Sequence, residues 1–166
     1  MSISINHEDL NGDLSWHETP IRVRYAETDK MGVVYHANYL VWFEIGRTEF
    51  CRSRGFSYRE MEEDSQAFLA VAESYCRYKQ PAFYDDELII RTHVAECRKR
   101  SLRFGYEIVR LEDDLVLAEG ETTLVAIDAA NRVRTIPEKY REMLLEDLPL
   151  QSFNKAEKLP EDHAPS

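Results

Sequence analysis

The sequence lacks any run of eighteen apolar residues, the length a membrane-spanning helix needs. Its first ten residues, MSISINHEDL, have neither the basic start nor the apolar middle of a signal peptide. A soluble, cytoplasmic protein with no transmembrane segment is therefore expected. Cysteine is scarce. Cys51, Cys76 and Cys97 are odd in number, widely spaced and free of a C-x-x-C pair, which argues against a disulfide framework and a zinc site and for buried small thiols. His7, His17, His36, His93 and His163 are scattered and form no H-x-x-x-H pair, so no metal is expected.

Positive charge is also in short supply. The 166 residues carry a formal net charge of −10, with −4 in residues 1–20 and −2 in residues 147–166, leaving −4 for residues 21–146. Nucleic-acid binding rests on Lys and Arg neutralising phosphates, so an acidic chain is a poor candidate for it. Local basic clusters remain able to hold a small phosphorylated ligand.

One domain suits this length, and a chain of this size can bury a sizeable core without disulfides. Residues 1–19 read as a polar N-terminal arm, with Trp16 available as an anchor, and residues 148–166 as a polar, disordered tail. Residues 20–147 hold the fold. Ile21, Val23 and Tyr25 alternate with Arg22, Arg24 and Ala26, which marks a first strand ending near Thr28. Glu27–Gly32 is a turn by composition, and a helix begins at Asn38 or just before it and runs to about Ser53, closed by Gly55. Tyr39, Leu40, Val41, Trp42, Phe43 and Ile45 make its first half apolar on nearly every side, as in a helix surrounded by protein. Gly46 on that helix permits a close backbone approach.

Ser57 with Glu60 three residues later signals a short second helix. Strands are expected over Phe68–Lys79, Glu87–Arg98, Ser101–Leu111 and Leu115–Ile127. The last three are joined by links too short for a parallel crossover, so the sheet is antiparallel. Val133–Ile136 reads as a short extension and Glu138–Glu146, after Pro137, as a terminal helix.

Chemistry concentrates in the run Y-A-E-T-D-K-M-G-V-V-Y-H-A-N-Y-L-V-W-F-E, Tyr25 to Glu44, and the later R-Y-K-Q-P-A-F-Y-D-D, Arg77 to Asp86. Together these resemble the hotdog-fold acyl-CoA thioesterases of the 4-hydroxybenzoyl-CoA thioesterase and YbgC-like group, and the resemblance covers roughly Ile21 to Arg141. It implies an α+β hotdog fold, a five- or six-stranded antiparallel sheet wrapped around the long helix. Homodimers or homotetramers with active sites between subunits are implied too, as is an acyl-CoA thioesterase activity that needs no cofactor.

Asp29 matches the carboxylate that works in this family. A carboxylate held at a thioester can attack the carbonyl or activate water, and the sequence leaves both open. His36 stands where related enzymes aim a backbone N–H from the helix start at the thioester oxygen; its imidazole can orient the site, protonate the leaving thiolate, or merely pack. Gly32 is expected to take positive φ in the tight passage between them. Tyr35 and Asn38 line or brace the pocket, with helix capping the blander role for Asn38. Glu44, in an apolar segment, is expected in a buried pair with Arg47 or Arg24 and is the second choice for the working acid.

Arg98, Lys99, Arg100 and Arg103 form the densest basic cluster and are the candidates for holding the CoA phosphates, against the alternative of a solvated basic turn. The acyl pocket is expected between the helix and a partner subunit's strand around Phe68, Leu69 and Ala70. A noncatalytic module that binds acyl-CoA or acyl carrier protein is the alternative. A hydratase on the same fold is weaker, because no H-x-x-x-H-P segment appears.

Overall fold

The computed structural model describes residues 16–146, so the expected C-terminal tail and most of the N-terminal arm lie outside the described residues. The elements run β1 (His17–Arg22), a 3-10 turn (Tyr25–Glu27), α1 (Asn38–Ser53), α2 (Tyr58–Ser65), β2 (Phe68–Tyr78), β3 (Glu87–Cys97), β4 (Ser101–Arg110), β5 (Leu115–Ile127) and α3 (Glu138–Leu145). The strands form one antiparallel sheet in the order β1-β3-β4-β5-β2. No helix among the described residues is long and apolar enough to cross a membrane.

The sheet curls around α1 because alternate residues of each central strand are apolar. Leu102, Phe104, Tyr106 and Ile108 of β4 are buried on the side that meets Leu88, Ile90 and Thr92 of β3. Phe43 of α1 stacks on Tyr106 at 4.3 Å between ring centroids, and Phe50 meets Phe104 edge-on at 5.6 Å. Between them Gly46 lies so close to β3 that a Cβ there would stand 2.5 Å from Thr92 Oγ1 and 2.6 Å from Ile90 Cγ2. Even alanine would push the helix off the sheet. Register shifts at Val71/Glu73, Val94/Glu96 and Ile108/Val109 add local twist, which helps long strands wrap.

Helix α2 starts with the expected capping box: the Glu60 amide donates to Ser57 Oγ at 3.2 Å and the Ser57 amide to Glu60 Oε2 at 2.7 Å. Strands β2 to β5 fall within one residue of their expected ends. Strand β1 does not. It begins at His17, inside the stretch read as an arm, and ends at Arg22, because its partner β3 starts at Glu87 and offers no ladder beyond it. Val23 makes one last exchange with Asp85 and Asp86, and the chain then coils into the 3-10 turn, leaving Tyr25 76% exposed.

The apolar first half of α1 is only partly covered in a single chain. Tyr39, Trp42 and Phe43 are buried, while Leu40, Val41 and Glu44 are exposed along the opposite side. The expectation of a helix enclosed all round therefore fails for one chain.

Candidate active site

The Arg24–Asn38 segment is a compact hairpin. Asp29 N–H donates to Val33 O at 2.9 Å, Tyr35 N–H to Glu27 O at 2.9 Å, and Thr28 bridges Val34. Gly32 closes the turn at φ +79°, a conformation that suits glycine, with its N–H on Asp29 O at 2.9 Å. The Val34 amide donates to Ala82 O at 2.9 Å, which ties the hairpin to the β2–β3 connection. Asp29 is half-buried. Its Oδ1 accepts the Met31 amide at 2.8 Å, and its second oxygen has no partner among the described residues.

The hairpin leads directly into α1. Tyr78 Oη donates to the His36 carbonyl at 2.9 Å, and the Tyr35 and His36 rings lie 4.5 Å apart. Burial first, then Cys76, pushes the Tyr78 hydroxyl up to about 12, so it stays a donor at neutral pH. Among the described residues no acceptor takes the His36 or Ala37 amide. These are the orphan donors of a helix start, where the dipole also favours negative charge. Asn38 does not cap the helix, because Ala37 occupies that position without a side-chain bond. Its Nδ2 instead donates to Glu27 O at 2.8 Å.

Glu44 corrects the sequence reading. It is exposed and makes no ion pair with Arg47 or Arg24. The buried carboxylate of this region is Glu27, which accepts Trp42 Nε1 at 3.1 Å and pairs with Arg24 at 3.2 Å. Burial alone would raise its pKa. Bonds from the Arg24 amide, the Trp42 indole and the Arg24 guanidinium outweigh that and hold it below the ordinary value. Arg47 is buried instead beside Cys51, Tyr58 and Tyr106, and burial pushes the Cys51 thiol up to about 12. Glu27 and Tyr78 both sit in the two sequence runs quoted above, yet a glutamate in a turn and a tyrosine on a strand carry no distinguishing local pattern.

The structure brings Asp29, Gly32, Tyr35, His36 and Asn38 together, and leaves the basic cluster elsewhere. Arg98, Lys99 and Arg100 form the β3–β4 turn, at the far end of β3 from the Asp29 hairpin, and eleven strand residues span about 36 Å. Arg98 pairs with Glu96 at 2.8 Å and Arg103 with Glu121 at 3.7 Å. Phe68, Leu69 and Ala70 lie at that same far end, opposite Ile127, Ala126 and Val125. Among the described residues no cluster could hold a metal ion.

Comparison with known proteins agrees with this architecture. The thioesterase-like superfamily matches residues 23–162. The Escherichia coli acyl-CoA thioester hydrolase YbgC is 40% identical over 109 residues, 66% of this chain and 80% of that protein. The crystal structure of a DHNA-CoA thioesterase from Staphylococcus aureus is 34% identical with a TM-score of 0.69, over 72% of this chain and 80% of that one. A 4-hydroxybenzoyl-CoA thioesterase bound to 4-hydroxybenzoyl-CoA shares the fold at TM-score 0.73 and 18% identity, over 78% of this chain and 99% of that one. With this sheet wrapped on this helix and that match along its length, the chain belongs to the thioesterase-like superfamily, as a hotdog-fold thioesterase of the YbgC-like group.

Proposed function

We propose that the protein hydrolyses acyl-CoA thioesters to the free carboxylic acid and CoA, with Asp29 as the reactive carboxylate and the His36 amide as oxyanion donor. One observation carries the reading: a half-buried carboxylate with an uncommitted oxygen shares a single hairpin with the unpartnered amides that open α1. In one route that oxygen attacks the thioester carbon, CoA thiolate leaves, and water opens the resulting anhydride. In the other it takes a proton from water, which attacks directly. Both pass through a tetrahedral oxyanion, and one preorganised donor is worth about 2.7–4 kcal/mol there.

A second copy of the chain fits the same reading. Strand β2 is an unpaired edge of eleven residues with Val71 51% and Tyr75 59% exposed. Two-fold antiparallel pairing of β2 would bring the partner's Phe68–Ala70 end, and with it the partner's basic turn, to the Asp29 end of this chain. The Leu40–Val41 side of α1 is exposed among the described residues and suits the acyl pocket. The Lys99 and Arg100 cations would then meet the CoA phosphates across the subunit boundary.

The test is CoA release from a panel of short, long and aromatic acyl-CoAs and acyl carrier protein thioesters by the full-length protein. Turnover of acyl-CoA at about 1 s⁻¹ or faster is expected for at least one member. Tight binding of the panel without release of CoA would mark a noncatalytic binding module instead.

A further inference from the structure

We propose that Glu27 is the positioning residue of this site, setting Asp29 and the His36 amide in register through bonds made at both ends of the residue. The inference rests on the reading of Asp29 as the reactive carboxylate. Glu27 is 5% exposed, and its hydrogen-bond partners among the described residues are all protein groups. Its carboxylate accepts the Arg24 amide at 2.8 Å, the Arg24 guanidinium at 3.2 Å and the Trp42 indole N–H at 3.1 Å. Its carbonyl accepts the Tyr35 amide at 2.9 Å and Asn38 Nδ2 at 2.8 Å.

These partners are not spread over the fold. Arg24 opens the turn that leads to Asp29, Tyr35 is the residue before His36, and Asn38 and Trp42 lie one helical turn apart at the start of α1. The site is thus made from the two arms of one hairpin and a helix end, and Glu27 is bonded to all three. Asp29 follows two residues later on one arm, and the His36 amide follows the Tyr35 amide on the other. A rotation of the Glu27 peptide would strain its bonds to the Tyr35 amide and Asn38 and so disturb both.

The carboxylate is what prevents that rotation, because Trp42 is fully packed in the core and offers a fixed donor. Without it the indole N–H is left buried and unpaired, and the 3-10 turn loses its capping bond to the Arg24 amide. A plain capping glutamate would need only the Arg24 contacts. The additional grip on Trp42, fifteen residues further along the chain and inside α1, is what points to the site and not to the turn alone. A displacement of about 1 Å in a reacting group costs on the order of 10² in rate.

A double-mutant cycle between Glu27 and Asp29 tests the role, using single-turnover rates and KM on the best substrate, normalised to folded fraction by circular dichroism. Glu27→Gln keeps the shape and removes the charge; Trp42→Phe keeps the carboxylate and removes the indole donor together with some core volume, and serves if the glutamine variant folds poorly. Either change is expected to lower the rate about 10- to 100-fold with KM within about 3-fold. In the Asp29→Asn background the same change should cost less than about 2-fold, because there is no reactive carboxylate left to misplace. An equal proportional loss in both backgrounds, or a wild-type rate in both Glu27→Gln and Trp42→Phe, overturns the role. Full activity of Asp29→Asn by itself, with Glu27→Gln still slow, would instead remove the proposed reaction.

Discussion

The two edges of the sheet differ in ways that separate a closed boundary from an open one. Strand β1 has six residues, contains Pro20, and is fastened to β3 by Glu18 on Arg91 and Arg22 on Glu87. Short length, proline and charge are the devices that blunt an edge. Strand β2 has eleven residues, no proline, and exposed Val71, Tyr75 and Tyr78 along a row of unpaired backbone groups. It is also the edge that reaches the site, through Tyr78 on the His36 carbonyl. One edge is guarded and the other is long and partly apolar, which is why the proposed pairing is placed on the second, beside the candidate site.

Charging the open edge should have the largest effect. Val71→Lys with Tyr75→Lys is expected to yield a monomer by light scattering and to lower kcat/KM by about 100-fold or more, whereas Pro20→Ala on the other edge should change mass and activity by less than about 2-fold. Next, Tyr78→Phe removes the hydrogen bond from β2 to the helix start and should reduce kcat about 10-fold at nearly constant KM, measured by steady-state kinetics on the best substrate. A smaller change is expected from Lys99→Ala with Arg100→Ala, which should raise KM about 10-fold and leave kcat within about 2-fold; an unchanged KM would deny the cluster any hold on CoA.

The smallest effect concerns stability. The Glu27 carboxyl titrates below its ordinary value in the folded chain, so its stabilisation is complete above the unfolded value near 4.5 and disappears as pH falls through the folded one. Thermal melts should therefore place Glu27→Gln about 4–8 °C below wild type at pH 7, with the gap closing below about pH 4.5. A gap that stayed constant down to pH 3 would show that charge at this position is irrelevant.

Local patterns made β2 to β5 and α2 readable from sequence, since alternation, short links and a capping box are all encoded within a few residues. Strand β1 was not, because Ile21, Val23 and Tyr25 alternate as a strand would, while the ladder stops where β3 stops. The Asp29 hairpin was legible through its motif, and the conformation of Gly32 through its residue type. Glu44 and Glu27 were exchanged in role. An acid among Leu40, Val41 and Ile45 looks buried by its neighbours in sequence, but that side of α1 is uncovered in one chain, and the acid in the turn folds back under Trp42. The distance of the basic turn from Asp29 was likewise invisible until the strand register was known.

The most direct measurement is the single-turnover rate of thioester cleavage by Asp29→Asn against wild type, with enzyme in excess over the best acyl-CoA and binding followed separately. The asparagine keeps the turn bond to the Met31 amide and removes the anionic oxygen, so the rate should fall by about 10³-fold or more while the acyl-CoA Kd changes little. Equal cleavage rates in the two proteins would contradict the account.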